Sequence, residues 1–195
     1  MPENALLILA AYLLGSVATA VLVSRALGIA DPRTHGSHNP GATNMLRLGG
    51  KSAGAITLAG DMLKGLLAVL IARAFEAPSP VLAAVGLAAF LGHLYPVFLR
   101  FRGGKGVATA LGVILGWHWP AGLATMGTWL VMAFLFRYSS LAALIAALAA
   151  PGYLWWLQPE PLLAWTCMLM SALLWWRHRE NIRHLLDGTE GKIEL

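Results

Sequence analysis

Charged side chains are scarce in this sequence, at 12% of its 195 residues, whereas hydrophobic residues make up 58%. A soluble domain of this length needs far more charge to cover its surface. The composition therefore excludes the soluble classes of protein and predicts an all-α integral membrane protein. We expect a single domain over residues 1–195, because no repeat, low-complexity tract or linker divides the chain.

Cysteine and the common catalytic motifs are also nearly absent. Cys167 is the only cysteine, so no disulfide can form within the chain. The sequence has no G-x-S-x-G nucleophile motif, its histidines are not spaced as metal ligands, and its carboxylates are few. We therefore expect no metal, no cofactor and no common type of covalent site.

Apolar runs are abundant, and seven of them are candidates to cross a membrane, since about 20 residues span the hydrocarbon core. The predicted spans are residues 4–24, 53–75, 81–98, 107–117, 121–136, 141–157 and 162–176. The fourth run is short for a span, and a chain with six spans would place one terminus on the other side.

Lysine and arginine are distributed unevenly between the two ends of these spans. The breaks after the first, third and fifth spans, together with the tail, hold nearly all of them, whereas the opposite side holds only Arg73. Cytoplasmic loops of membrane proteins carry the excess of these residues. We therefore predict an N-terminus outside and a C-terminus in the cytoplasm.

The longest polar segment, residues 31–51, follows the first span. Within it, Asn39 followed by Pro40 is typical of an N-cap and a first helical position. The pattern predicts a short helix that runs to Leu48 and stops at Gly49-Gly50.

The start of this short helix has the composition of an anion site. The first N–H groups of a helix have no partner within it. Ser37 and Thr43 lie nearby in sequence, and Arg47 can fold over a bound phosphate. The alternative is an interfacial helix whose arginine contacts lipid phosphates, and both interpretations fit this segment taken alone.

The second polar break contains Gly103, Gly104, Lys105 and Gly106 and leads into the fourth apolar run. Glycines let backbone N–H groups approach a phosphate, and lysine supplies a point charge. The loop is not a Walker A motif, because the glycine expected five residues before Gly104 is Leu99. The alternative is a basic loop that only fixes the topology.

Three further polar residues lie inside predicted spans. Asp61 and Lys64 are three residues apart and share a helix face, and because each is costly in lipid we expect a pair that faces the interior. A structural pair and a functional pair are both compatible with this spacing. His93, near the end of the third span, is compatible with a core histidine or with a site residue.

Polar residues also occur at Ser140 and in the basic tail, where His178 and Asn181 share a helix face. For Ser140 the alternative to a site residue is a helix cap. For the tail it is a basic amphipathic helix that lies on anionic lipid.

Taken together, these motifs resemble the bacterial acyl-phosphate:glycerol-3-phosphate acyltransferases, the PlsY family. The matching patterns are S-x-N-x-G-A-T-N-x-x-R at 37–47, D-x-x-K-G at 61–65, G-H-x-x-P-x-F at 92–98, F-x-G-G-K-G-V-A-T at 101–109, a basic-Tyr-x-Ser-Leu element at 137–141 and R-H-x-x-N-I-x-R at 177–184. The chain departs from the last pattern at His184, where the family usually has arginine.

The resemblance implies a seven-helix enzyme of the bacterial inner membrane that transfers a fatty acyl group from acyl phosphate to the 1-hydroxyl of sn-glycerol 3-phosphate. It makes lysophosphatidic acid and phosphate, the first step of phospholipid synthesis. By motif position, the phosphate- and substrate-binding residues are Ser37, Arg47, Lys105, Ser140, His178 and Asn181, of which Arg47, Lys105, His178 and Asn181 are the catalytic candidates. Further candidates for the pocket are Asn39, Gly41, Thr43, Asn44, Asp61, Lys64, His93, Gly103, Gly104 and Gly106.

Both substrates carry a phosphate, which fits two cationic loops that face the same compartment. Acyl phosphate is an activated anhydride, so we expect direct attack by the glycerol hydroxyl without a covalent acyl-enzyme. The base is a substrate phosphate oxygen, His178 or Asp61. Besides the two substrates, the expected partners are membrane lipid and the enzyme that makes acyl phosphate from acyl carrier protein, and no nucleic acid.

Two other functions fit parts of the sequence. A transporter of a phosphorylated small molecule would use Asp61, Lys64 and His93 as an ion path. However, such proteins usually place their sites near the midplane and often contain repeats, which this chain lacks. A structural or lipid-binding protein would use the basic loops only to contact lipid.

Overall fold

The computed structural model describes residues 2–193, and within this part the chain is helical, with no strand. Its α-helices are α1 (Pro2–Gly15), α2 (Thr19–Ala26), α3 (Ala42–Ala74), α4 (Ser79–Leu94), α5 (Val107–Trp117), α6 (Trp119–Phe136), α7 (Ser139–Leu157), α8 (Pro161–Arg177) and α9 (Arg179–Leu186). The predicted all-α class is confirmed. The chain forms two compact units, Met1–Gly116 and Trp117–Leu195, and the assignment of one functional domain to the whole chain stays a prediction.

Four helices in the described residues are long and apolar enough to cross a membrane, namely α3, α4 with its 3-10 extension to Leu99, α6 and α7. A fifth crossing results if α1 and α2, which are bent by 42°, count as one broken span. Helices α5 and α8 have 11 and 17 residues, and at 1.5 Å per residue they are about 16 Å and 25 Å long. The number of seven spans and the orientation of the termini therefore stay predictions.

In the first unit, the break between α1 and α2 replaces the single helix predicted over residues 4–24, and that prediction is wrong. A Cβ at Gly15 would overlap the carbonyl of Ala89, so α1 lies against the backbone of α4. The carbonyl of Val17, within the break, accepts a hydrogen bond of 2.8 Å from Nζ of Lys64 in α3. A side chain far along the sequence thus satisfies the backbone group that the break releases.

Helix α3 begins at Ala42, with Gly41 in extended conformation as its N-cap residue. The prediction that Asn39 is the N-cap is therefore wrong. A tight turn intervenes, in which the Gly41 N–H donates to the Asn39 carbonyl at 2.9 Å. The predicted interruption at Gly49-Gly50 is confirmed, because Gly50 has φ 75° and ψ −171°, a conformation that glycine adopts readily.

The start of α3 is anchored by apolar packing in the first unit. Met45 and Ala53 are fully buried and pack with Ala20 and Val23 of α2, and Ile29 covers this cluster. Helix α3 also packs on α1 and α4, and α4 packs on α1. The polar segment before α3 is therefore fixed to the helices at its end.

In the second unit, α7 packs against both α6 and α8, and α9 follows α8 after His178. The buried face of α7 consists mainly of alanines, at positions 142, 143, 146, 147 and 150. Small residues allow membrane helices to approach closely.

Pro151 lies inside α7 and has no N–H to donate to the carbonyl of Ala147, four residues earlier. The hydroxyl of Ser171 in α8 donates to this carbonyl at 2.6 Å. The hydroxyl therefore replaces the missing backbone donor in a region where water cannot.

We expect Ser171→Ala to lower the free energy of unfolding by about 1 kcal/mol, as for other hydrogen bonds between membrane helices. In a Pro151→Ala background the loss should be smaller, because residue 151 then has its own N–H. Thr166→Val is the control, since the hydroxyl of Thr166 donates within its own helix, to the carbonyl of Leu162. Unfolding titrations in detergent measure the native protein and the four variants, and an equal effect of Ser171→Ala in both backgrounds would contradict this account.

Candidate anion-binding site

The polar loop before α3 is organised by Asn44, whose side chain is almost completely buried. Its Nδ2 donates to the carbonyls of Pro32 and His35, both at 3.0 Å, and its Oδ1 accepts the N–H of Ser37 at 3.0 Å. One amide thus fixes three points of the loop. Asn44, a candidate for the substrate pocket, therefore shapes the backbone of this loop.

We expect Asn44→Asp to destabilise the loop strongly. A carboxylate oxygen would replace Nδ2 and face two carbonyls that it cannot bind, at a cost of about 1–3 kcal/mol for each unpaired buried group. Trypsin cleavage at Arg33, in the exposed part of the loop, should become much faster than in the native protein. Asn39→Asp, in the same segment, should leave the cleavage rate nearly unchanged, and equal acceleration in both variants would show that the amide of Asn44 has no special role.

One of the cations in this loop is engaged locally. The Arg33 guanidinium donates to both carboxylate oxygens of Asp31, with Nη2 to Oδ2 at 2.6 Å. These hydrogen bonds lower the pKa of Asp31 to about 2. Because the pKa is lowered in the folded state, the pair contributes above the ordinary pKa of Asp, near 4, and is lost as the pH falls towards 2.

The other candidates near α3 lie at its first turns. Gly41 is the N-cap residue, Thr43 is half-buried in the first turn, and Arg47 is exposed four residues further on. Residues four apart share a helix face, so Thr43 and Arg47 point to the same side. Ser37 and Asn39 lie in the loop that leads to this helix end.

The second polar break contains a glycine loop, residues 103–106, which is hydrogen-bonded to the end of α4. After Leu94 the chain forms a 3-10 turn at Val97–Leu99 and then folds back to the end of α4. The N–H of Gly103 donates to Leu94 O and that of Gly104 to His93 O, both at 3.1 Å. These two N–H groups, expected to approach a phosphate, already satisfy the last carbonyls of α4.

Lys105 is half-buried between Gly104 and Gly106, and α5 begins directly afterwards at Val107. Gly106 has φ 88°, in the left-handed region that favours glycine. The first N–H groups of α5 therefore lie beside the lysine, and a helix N-terminus next to a cation suits an anion.

Asp61, Lys64 and His93 form a buried polar cluster in the first unit. Lys64 Nζ lies 2.8 Å from Asp61 Oδ1, and His93 Nδ1 lies 3.6 Å from the same oxygen. The predicted interior pair of Asp61 and Lys64 is confirmed. The cluster lines a cavity of about 10 Å³, enough for about one water molecule.

In the second unit, Ser140 and Asn181 meet at one carboxylate. Ser140 Oγ donates to Glu190 Oε1 at 2.5 Å, and Asn181 Nδ2 donates to the same oxygen at 2.8 Å. His184 Nδ1 lies 3.7 Å from Glu190 Oε2. The tail residue Ile193 also pairs with Arg137 in the α6–α7 turn, through Ile193 N to Arg137 O at 2.6 Å.

His178 is buried between α8 and α9, and its Nδ1 lies 2.8 Å from the carbonyl of Leu174. A carbonyl only accepts, so Nδ1 carries the hydrogen and, in the neutral ring, Nε2 carries the lone pair. This tautomer gives the ring a basic nitrogen at Nε2.

Sequence reasoning missed two contributors to these groups. Glu190 was not a candidate, although carboxylates are few in this chain and each one near basic residues is informative. The carbonyl of Val17 was not one either, because a backbone acceptor at a helix break has no sequence signature.

The fold and these polar groups define a class of protein, the helical integral membrane proteins that carry cationic glycine-rich loops. The sequence profile of the family described as glycerol-3-phosphate acyltransferase matches residues 5–188. A glycerol-3-phosphate acyltransferase of Methylococcus capsulatus is 58% identical over 99% of this chain and 98% of its own. One from Burkholderia ambifaria is 58% identical over 95% of this chain and 88% of its own.

Solved structures give the same result. The crystal structure of PlsY (YgiH), an integral membrane glycerol 3-phosphate acyltransferase, in its glycerol 3-phosphate form has a TM-score of 0.93 and 40% identity, and the match covers 98% of this chain and 96% of that chain. Its lysophosphatidic acid form has a TM-score of 0.91 and 38% identity over the same shares. The chain therefore belongs to the glycerol-3-phosphate acyltransferase family of membrane enzymes.

Proposed function

We propose that this chain transfers a fatty acyl group from acyl phosphate to the 1-hydroxyl of sn-glycerol 3-phosphate, with lysophosphatidic acid and inorganic phosphate as products. The observation that carries the proposal is the likeness, over 98% of the chain, to a PlsY structure in its glycerol 3-phosphate form. The lysophosphatidic acid form of that protein corresponds to the product.

Acyl phosphate as the donor is supported by the two cationic segments of the first unit. Each substrate carries a phosphate, and each segment offers one cation beside a helix start, Arg47 near the start of α3 and Lys105 at the start of α5. Arginine binds phosphate through two parallel hydrogen bonds, and lysine acts as a point charge. We assign one phosphate to each segment, with Ser37 and Thr43 beside Arg47.

In the second unit we assign substrate binding to Ser140 and Asn181, which Glu190 holds in place, and to His178. The hydroxyl oxygen of glycerol 3-phosphate attacks the acyl carbonyl carbon, the bond from that carbon to the phosphate oxygen breaks, and phosphate leaves with the electron pair. The hydroxyl proton passes to His178 Nε2 or to a substrate phosphate oxygen. Asp61 is a poor base for this step, because its carboxylate is buried against Lys64.

The transfer needs no covalent acyl-enzyme, because acyl phosphate is already activated and the protein has only to position the reactants and offset charge. We further propose seven spans in the bacterial inner membrane, with the polar loops at the cytoplasmic face. The excess of Lys and Arg in the loops on that side supports this orientation. A supply of acyl phosphate made from acyl carrier protein is the expected partner reaction.

The test is an assay of the purified protein in lipid with glycerol 3-phosphate and one donor at a time: acyl phosphate, acyl-CoA or acyl carrier protein. We expect release of phosphate and formation of lysophosphatidic acid with acyl phosphate only. Turnover with acyl-CoA and none with acyl phosphate would overturn the proposed donor. A covalent acyl-enzyme isolated after incubation with acyl phosphate alone would overturn direct transfer.

A further inference from the structure

The buried cluster of Asp61, Lys64 and His93 lies between two irregular parts of the first unit. On one side, Lys64 Nζ donates to the carbonyl of Val17 in the break between α1 and α2. On the other side, His93 is the residue on which the glycine loop rests. The cluster therefore connects a helix break with the loop that carries Lys105.

The contact between His93 and the loop has two parts. The His93 carbonyl accepts the N–H of Gly104. In addition, a Cβ at Gly104 would overlap Nε2 of the His93 ring, and one at Gly103 would overlap the His93 carbonyl. The ring thus sets how closely the backbone before Lys105 approaches α4, and only glycine permits that approach.

The His93 ring faces the ion pair of Asp61 and Lys64. Nδ1 faces Asp61 Oδ1 at 3.6 Å, and that oxygen is held by Lys64 at 2.8 Å. All three side chains are at least nine-tenths buried. A buried ion pair contributes little net stability compared with apolar residues of similar size, so its presence suggests that it fixes a geometry.

We propose that Asp61, Lys64 and His93 are positioning residues, which fix the glycine loop so that Lys105 and the first turn of α5 bind phosphate. The inference rests on the proposed function, and it replaces direct substrate contact as the role of these three residues. The ion pair orients the ring, and the ring and carbonyl of His93 orient the loop.

A double-mutant cycle between Gly104→Ala and His93→Ala tests the contact. The probe is inorganic phosphate, as an inhibitor of acyl transfer and as a ligand that raises the melting temperature, with the full chain in lipid nanodiscs. We expect each single variant to weaken phosphate affinity on the order of 10-fold to 100-fold, as a small misplacement of binding groups does. In the double variant the effects should not add, because the methyl at 104 no longer meets a ring.

The second variant is Asp61→Asn/Lys64→Gln, which keeps polar side chains and the His93 ring but removes both charges. It should raise the KM for the phosphate substrates more than it lowers kcat, because it acts on binding in the ground state and the transition state alike. Phosphate affinity equal to that of the native protein, in this variant and in His93→Ala, would overturn the inference. So would strictly additive effects of Gly104→Ala and His93→Ala.

Lys105→Ala separates this inference from the function on which it rests. If Lys105→Ala binds phosphate as tightly as the native protein, the proposed role of the loop is wrong. If Lys105→Ala loses phosphate while the variants at His93 and at the ion pair keep it, only the positioning role is wrong.

Discussion

Replacement of Lys105 by alanine is expected to remove nearly all of the acyl-transfer activity while the protein stays folded. Lys105 stands between Gly104 and Gly106 at the start of α5, and in the proposed function its ammonium group offsets the charge of a bound phosphate. Loss of one charge-stabilising group from a site of this kind lowers kcat by about 100-fold to 1,000-fold. The measurements are steady-state kinetics in lipid and the melting temperature of the same preparation.

Arg102→Ala is the matched control, because Arg102 is a cation in the same loop, three residues earlier, and is exposed. It should change activity by no more than a few fold, since an exposed charge is screened by solvent. If the structural or lipid-binding alternative were correct, Lys105→Ala would instead lower the melting temperature and leave turnover per folded molecule unchanged.

Glu190→Ala is expected to release the tail of the second unit and to remove most of the activity. The carboxylate accepts hydrogen bonds from Ser140 and Asn181, and its side chain is 9% exposed. Hydrogen bonds to a charged group contribute about 1.5–3 kcal/mol each, so we expect a loss of about 3–6 kcal/mol in the free energy of unfolding. Chemical unfolding in detergent and trypsin cleavage at Lys192 measure the loss.

Two further variants serve as controls for Glu190→Ala. Glu190→Gln keeps an oxygen that accepts both hydrogen bonds and should fall between Ala and the native protein. Glu180→Ala removes an exposed carboxylate of α9 and should have little effect. A Glu190→Ala protein as stable and as active as the native one would show that the tail carboxylate does not hold Ser140 and Asn181.

Periodic and local features of the chain were predictable from its sequence. The apolar runs indicate helices, the spacing of Asp61 and Lys64 places them on one face, and Gly50 marks the interruption of α3. Each of these follows from residues within one or two helical turns. The physical rules that govern them therefore apply before any tertiary contact is known.

The remaining features depend on single side chains that act over long sequence distances. The break at Val17 is stabilised by Lys64, 47 residues away, and Ser140 meets Glu190 across 50 residues. Neither contact repeats along the chain, so neither produces a periodic pattern. The predicted start of α3 was wrong for a more local reason. Asn39 followed by Pro40 indicates an N-cap, but residues 39–41 instead form a tight turn in which the Gly41 N–H donates to the Asn39 carbonyl.

The hydrogen bond from Ser171 to the carbonyl of Ala147 also bears on the order of events during synthesis. The ribosome makes α7 before α8. In a nascent α7, the Ala147 carbonyl therefore lacks the Ser171 hydroxyl that later donates to it. Entry of α7 alone into lipid would leave that carbonyl without a donor. With α8 as a span, as in the proposed seven-span topology, insertion of both helices as a hairpin brings donor and acceptor together. The translocon should therefore hold α7 until α8 has emerged.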